Sequence, residues 1–356
     1  MTRYKLPLAG ETFSESGKSV FASPFSSTSG ELTDRYGRRH NNLRISVTDR
    51  CNLRCLYCMP EEVVFLPRQE LLSFEEITTF VQAVLPLGID KIRLTGGEPL
   101  LRKDLHKLVR MLSALPGLRD LSLTTNGLLL EEQAPRLYEA GLRRINISLD
   151  TLDPQRFRLL TRRDGLERVL AGIQAARQLG FSPIKINMVA LRGFAERDLV
   201  PLARLCRDWG LELRIIEYMP IGAEEWERDK VVTAEECLQW LEESIAPLRP
   251  IANDPTSPAQ EYEYLDGQGR VGIIASISRP FCRHCNRLRL TAEGKLRYCL
   301  FALEETDIKP LLRQSPPDLL QVQQLVRQTV WAKWPGHQIH SAEFVKPTRT
   351  MHAIGG

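Results

Sequence analysis

From Leu43 to Met219 the chain alternates short β-branched runs with longer amphipathic stretches, six times over. The strand-like runs are Leu43–Thr48, Lys91–Thr95, Asp120–Thr124, Arg144–Leu149, Ile184–Ala190 and Leu211–Met219. Helix-like segments separate them: one from Ser73 to Pro86, then Arg102–Leu115, Glu131–Ala140, one opening at Asp153-Pro154, Leu166–Leu179 and Glu196–Trp209. Several ends carry their own signals. Ser73-Phe-Glu-Glu76 is a capping box. Asp153-Pro154 is an N-cap with proline at the first helical position. Gly180 and Gly210 stand where a helix would end on a glycine. Alternation at this spacing predicts parallel strands joined by right-handed helical crossovers. Six units are too few for a closed eight-fold barrel. The expected fold is therefore α/β, a partial (β/α)6 TIM-type barrel of parallel strands, with an open sheet as the other arrangement. In both, ligands gather at the C-terminal strand ends.

Beyond residue 220 the pattern changes. Thr233-Ala-Glu-Glu236 is one more capping box. It is followed by a Pro/Asp/Ser-rich stretch, Pro250–Pro258, and a glycine-rich hairpin region around Asp266–Gly272. The expectation is a smaller C-terminal α+β module over 221–356, after a barrel over 33–220. Residues 1–32 differ again. Ser14 to Gly30 holds seven serines and few aliphatics, which predicts a poorly ordered extension. Glu11, Glu15 and Glu31 argue against a transit peptide.

Composition excludes several classes. The 43% apolar and 26% charged content suits a globular chain. A net charge of +4 over 356 residues does not suggest a nucleic-acid binder, but leaves room for a local basic pocket. No apolar run approaches the roughly 20 residues of a membrane span, and no basic-then-apolar signal opens the chain. The expected compartment is a reducing cytoplasm, where cysteines bind metals more often than they pair.

Cys51, Cys55 and Cys58 form a Cys-x3-Cys-x2-Cys run directly after the first strand. Three thiolates can hold a four-iron cluster and leave one iron open, and open metal sites do chemistry. Structural zinc usually takes four protein ligands, and no histidine stands at ligand spacing here. A second group, Cys282, Cys285 and Cys299, is again three cysteines, with His284 between the first two. Zinc competes more strongly there, because a Cys-x2-Cys pair with a distant third ligand suits a zinc ribbon. Repetition of an incomplete triad favours iron–sulfur clusters at both. Cys206 and Cys237 fall in helix-like segments and read as core thiols.

The Cys-x3-Cys-x2-Cys run followed by Gly96-Gly97-Glu98-Pro99 resembles the radical S-adenosylmethionine superfamily. The fuller set is similar to its GTP 3′,8-cyclase family, lyases of molybdenum cofactor biosynthesis. That set spans Leu43–Pro60, Lys91–Arg102, Thr124–Gly127, Asn146–Asp150, Phe281–Thr291 and the Gly355-Gly356 end, covering about residues 33–356. The resemblance implies two 4Fe-4S clusters and S-adenosylmethionine. In the family, the open iron of the first cluster chelates S-adenosylmethionine, and one electron releases a 5′-deoxyadenosyl radical. That radical takes hydrogen from C3′ of GTP, and the C3′ radical adds to C8. Reduction and protonation give (8S)-3′,8-cyclo-7,8-dihydroguanosine 5′-triphosphate. Tyr57, Gly97, Ser148 and Met219 match positions around S-adenosylmethionine. Arg44, Arg93, Thr124, Lys185, Arg287 and Arg289 match substrate positions, with the second cluster's open iron near the guanine. The resemblance also implies a reductant such as flavodoxin or ferredoxin, a downstream cyclic pyranopterin monophosphate synthase that takes the product, and a monomer or homodimer.

The residues add physical support. Arg44 and Arg93 lie inside strand-like runs, where an inward charge is costly unless paired. Arg287 and Arg289 alternate and so share one face. Gly355-Gly356 alone reads as a frayed tail; the resemblance implies a slim peptide inserted near the active site. Two rivals stay open: another radical S-adenosylmethionine enzyme with an auxiliary cluster, acting on a peptide, and a zinc-binding interaction module.

Overall fold

The structure, a computed structural model, describes residues 30–222, 226–342 and 344–355. Strands β1 (Asn42–Ser46), β2 (Lys91–Thr95), β3 (Asp120–Thr125), β4 (Arg144–Ser148), β5 (Ile184–Ala190) and β6 (Glu212–Glu217) pair in chain order, every pair parallel. Helices α1 (Phe74–Val84), α2 (Leu105–Ser113), α3 (Leu130–Glu139), α4 (Pro154–Thr161), α5 (Leu166–Gln178) and α6 (Ala195–Trp209) make the crossovers. Their packing follows from period-two alternation. Leu43, Ile45, Ile92 and Leu94 are fully buried in the core shared with the helices, which leaves Arg44 and Arg93 on the opposite, concave face.

The caps form as the sequence predicts. Ser73 Oγ accepts from the Glu76 amide at 3.1 Å, and Glu76 Oε2 accepts from the Ser73 amide at 2.7 Å. Asp153 Oδ1 accepts from the Arg156 amide at 2.8 Å. Thr233 and Glu236 repeat the capping box at the start of α7 (Ala234–Ser244). Arg102 is an exception to the expected helix over 102–115. It closes a short 3-10 turn, Pro99–Leu101, and its Nη2 donates to the Leu72 carbonyl at 2.8 Å. Pro99 sets that turn before α2 begins.

The C-terminal third extends the same sheet on both sides. Strands β7 (Leu248–Ile251), β8 (Gln260–Tyr264) and β9 (Arg270–Ile274) form an antiparallel set, and β9 lies parallel on β6. Strands β10 (Arg287–Leu290), β11 (Lys295–Arg297) and β12 (Thr306–Asp307) do the same at the other edge, with β10 parallel on β1. The result is an open twelve-stranded sheet ordered β12-β11-β10-β1-β2-β3-β4-β5-β6-β9-β8-β7. It is a partial barrel with more parallel strands than the six-fold alternation announces. Helices α8 (Lys309–Leu312), α9 (Leu319–Trp331) and α10 (Met351–Ile354) complete the chain. Residues 1–29 of the serine-rich segment lie outside the described residues, but Leu32 is buried and its amide donates to the Leu87 carbonyl at 2.9 Å. Among the described residues no helix is long and apolar enough to cross a membrane.

Candidate functional site

The concave face encloses a cavity of about 810 Å³. Both cysteine groups and every other site residue expected from the sequence line it. Their positions follow from topology. Cys51, Cys55 and Cys58 follow β1, at the C-terminal strand ends. Cys282 and Cys285 precede β10, which runs parallel to β1, so they sit at the N-terminal ends. Cys299 follows β11, which is antiparallel to β10, and returns to that same end. The triads therefore close opposite ends of one cavity.

The first triad is held by backbone. The Arg54 amide donates to the Thr161 carbonyl at 2.9 Å and the Leu56 amide to Leu160 at 3.0 Å. The Gly97 amide donates to the Thr48 carbonyl at 2.8 Å, and the Glu98 amide to Arg50 at 2.7 Å. A Cβ on Gly97 would lie 2.4 Å from the Arg50 carbonyl oxygen. Glycine is thus required here by close approach to the cysteine loop itself. Glu98 is buried and ties the next loop in, accepting from the Thr125 hydroxyl and the Asn126 amide, each at 2.7 Å. Burial pushes its carboxyl up to about 7. Asn126 Nδ2 then donates to Asn52 Oδ1 at 2.8 Å inside the cysteine run.

Burial pushes the thiols of Cys51 and Cys58 up to about 11 and about 12, and Cys55 well up, each reinforced by another thiol of its own triad or by a nearby carboxylate. Such a set is stable as thiolates only around a cationic group. Cys51, Cys55 and Cys58 all line the cavity, which leaves space beside the three sulfurs for a multi-iron cluster. All eight cysteines are free.

Tyr57 lies between two of these cysteines, and its hydroxyl donates to Asp150 Oδ2 at 2.6 Å. Asp150 Oδ1 accepts from the Val189 amide at 2.8 Å, and burial raises its carboxyl to about 6. Ser148 ends β4, and Met219 stands just beyond β6; both face the cavity. Thr124 lines it from β3, opposite Asn146.

Across the middle runs a row of cations. Strand register sets Arg289 beside Arg44 and Arg44 beside Arg93. Like charges directly opposite on neighbouring strands repel. Burial and the adjacent guanidiniums push Arg44 well below the usual arginine range; burial and a neighbouring arginine bring Arg93 to about 10 and Arg289 to about 9. Arg93 Nε donates to Ser122 Oγ at 3.2 Å, and Arg289 Nη1 donates to the Gly355 carbonyl. Arg287 stacks over the Phe281 ring, 4.6 Å from its centre. Among the described residues none of these four has a carboxylate at ion-pair distance. Lys185 differs, since its Nζ lies 2.7 Å from Glu212 Oε2.

Arg38 braces the second triad, and the chain end packs at the first triad's side of the cavity. Arg38 donates to the carbonyls of Cys282 (2.8 Å), Pro335 (3.0 Å) and Trp334 (2.6 Å), and its Nε to Asp34 at 2.6 Å. Gly355 is buried in the left-handed region at φ 73°, and a Cβ there would meet Thr95 Cγ2 at 2.9 Å. The tail is therefore packed against β1 and β2 at least as far as Gly355; Gly356 lies outside the described residues.

Sequence reasoning placed Glu98 and Asp150 in motifs without giving them a role, and it missed Arg214 and Lys333. Arg214 is buried in β6 and pairs with Glu212 at 2.9 Å and Glu261 at 2.6 Å. The strand argument used for Arg44 and Arg93 applies to it equally. Lys333 left no signal, since its contacts are all distant in sequence.

Comparison with known proteins agrees with this geometry. Residues 45–206 match the radical SAM superfamily model, and residues 211–339 match the Molybdenum Cofactor Synthesis C model. The chain is 47% identical to a GTP 3′,8-cyclase of Rhodopirellula baltica, over 91% of this chain and 92% of that one. It is also 47% identical to the GTP 3′,8-cyclase of Corynebacterium glutamicum (91% and 89%) and 46% to that of Pelotomaculum thermopropionicum (91% and 100%). Among solved structures it resembles Streptococcus suis SuiB bound to S-adenosylmethionine, with a TM-score of 0.59 over 79% of this chain and 68% of that one; at 13% identity this likeness concerns the fold alone. The chain belongs to the GTP 3′,8-cyclase family of the radical S-adenosylmethionine superfamily.

Proposed function

We propose that the chain cyclises GTP to (8S)-3′,8-cyclo-7,8-dihydroguanosine 5′-triphosphate, the first step of molybdenum cofactor biosynthesis. One observation carries the reading: two three-cysteine groups and four guanidiniums that have no carboxylate partner among the described residues line one cavity. Cys51, Cys55 and Cys58 would hold the cluster that takes S-adenosylmethionine, and Cys282, Cys285 and Cys299 the cluster beside the guanine. When bound, the first cluster and S-adenosylmethionine supply a 5′-deoxyadenosyl radical. Arg44, Arg93, Arg287 and Arg289 replace water around the triphosphate, and Thr124 offers a hydroxyl. Lys185 acts from within its pair with Glu212. Tyr57, held on Asp150, with Gly97, Ser148 and Met219, forms the wall for S-adenosylmethionine. The enclosed cavity keeps water from reactive intermediates.

In this reading residues 33–220 generate the radical, and 221–356 supply the second cluster and the tail, with 1–32 outside both. A low-potential reductant such as flavodoxin or ferredoxin provides electrons in a reducing cytoplasm, which suits eight free thiols. The product passes to a cyclic pyranopterin monophosphate synthase, and the enzyme works as a monomer or homodimer.

The test is anaerobic reconstitution, then incubation with S-adenosylmethionine and each nucleoside triphosphate. About eight irons per chain are expected. One hydrogen leaves C3′, and one electron and one proton return, so the product has the mass of GTP but a different retention. It should form with GTP and not with the other nucleotides. Cys282→Ala should still cleave S-adenosylmethionine yet yield no cyclised product. Cyclisation by that variant would remove the second triad from the substrate site.

A further inference from the structure

Lys333 follows the C-terminus of α9 and is 2% exposed. An ammonium buried so fully needs a counter-charge. Its Nζ donates to the Arg287 carbonyl at 2.9 Å and lies 3.3 Å from Cys285 Sγ. Among the described residues no carboxylate stands at ion-pair distance from it. Arg287 Nη2 approaches the same sulfur at 3.5 Å. Two cationic donors thus meet one thiolate of the second triad. The surrounding segment is fixed as well: Trp334 and Pro335 accept from Arg38, and a Cβ on Gly336 would lie 3.3 Å from Cys282 Cβ.

The first triad differs at its sulfurs: its nearest cation, Arg54, donates to the Cys51 carbonyl at 2.7 Å rather than to a thiolate. Cys51 Sγ receives the neutral donors Leu53 N at 3.4 Å and Asn126 Nδ2 at 3.9 Å. The groups behind it include the buried carboxyls of Glu98 and Asp150. Positive charge and hydrogen bonds at cluster sulfurs favour the reduced state, and negative charge opposes it.

We propose that Lys333 is a positioning residue for the second cluster: its ammonium, held between Cys285 Sγ and the Arg287 carbonyl, raises that cluster's reduction potential above the first cluster's. This rests on the second triad holding a cluster, as read above. The same ammonium fixes the backbone of Arg287, whose guanidinium faces the cavity.

The test is a redox titration followed by electron paramagnetic resonance, on reconstituted full-length protein without substrate. The Cys282→Ala variant identifies which signal belongs to the second cluster. The parent should show two midpoints, the second cluster's being higher. In Lys333→Met that midpoint should fall while the first cluster's stays, with iron content unchanged. Lys333→Gln, which keeps an N–H donor and loses the charge, should fall between them. An unchanged second midpoint in a fully loaded Lys333→Met protein overturns the proposal. So does loss of the second cluster's iron from both folded variants, because Lys333 would then serve assembly only. A parent with about four irons instead sinks the reading of the second triad, and that is visible before any variant is made.

Discussion

Arg44 shows how a single residue reports a ligand. It stands between Arg93 and Arg289 on neighbouring strands, with no carboxylate at ion-pair distance among the described residues. In the free protein that row is unfavourable, at about 0.2–1 kcal/mol for each opposed pair. It becomes favourable only when a polyanion enters. Arg44→Met should therefore raise the stability of the unliganded protein by about 0.5–1 kcal/mol, read from urea midpoints. The same substitution should weaken GTP binding about 10- to 100-fold, the worth of one charge-assisted hydrogen bond, read by calorimetry. Loss of stability with unchanged GTP affinity would make Arg44 a structural residue. At this scale the cysteines, Arg44, Arg93, Arg287 and Arg289 were legible, because thiol triads and charges inside strands are abnormal wherever they occur. The hold of Asp150 on Tyr57 and the place of Lys333 were not, since an aspartate after a strand and a lysine after a helix are ordinary until their neighbours are known.

Among the elements, those with end signals formed where expected. The Ser73 and Thr233 capping boxes and the Asp153 cap bind the amides three residues on. The α10 segment and tail are different. No local signal in Thr350–Gly355 forecasts that the chain end packs inside the sheet and accepts from Arg289; only the family resemblance implied an inserted tail. Gly355→Ala should displace it, since the left-handed φ and the close Thr95 methyl both oppose a Cβ. Turnover is expected to fall at least tenfold while the thermal midpoint moves little, because a misplaced catalytic group loses rate steeply but a chain end adds little to the core. A fall in the midpoint with normal turnover would return the tail to a packing role.

For the whole molecule, the edges of the parallel sheet decide what can fold alone. Strands β1 and β6 are both covered by strands from the last third of the chain. A fragment ending at residue 222 would expose both edges beside the buried apolar residues Leu43, Ile45, Leu213 and Ile215. It should be aggregation-prone, while the full chain stays dispersed; light scattering after refolding distinguishes them, and a well-dispersed, cooperatively unfolding fragment would show that the added strands are dispensable. The βα alternation forecast the parallel barrel because hydrophobic period and caps are local properties of the chain. It did not forecast that the C-terminal strands would join the same sheet. Partner choice between short strands depends on which edge remains open after the rest has packed.

The amino-acid order alone determined the parallel α/β class, both thiol triads and the unusual strand arginines, because periodicity, spacing and charge are carried within short stretches. Only the tertiary structure decided that the triads close opposite ends of one cavity, that Lys333 lies on Cys285, and that Gly355 meets Arg289. Each of these joins groups whose proximity exists only after long loops have closed, and no local stretch of sequence encodes it.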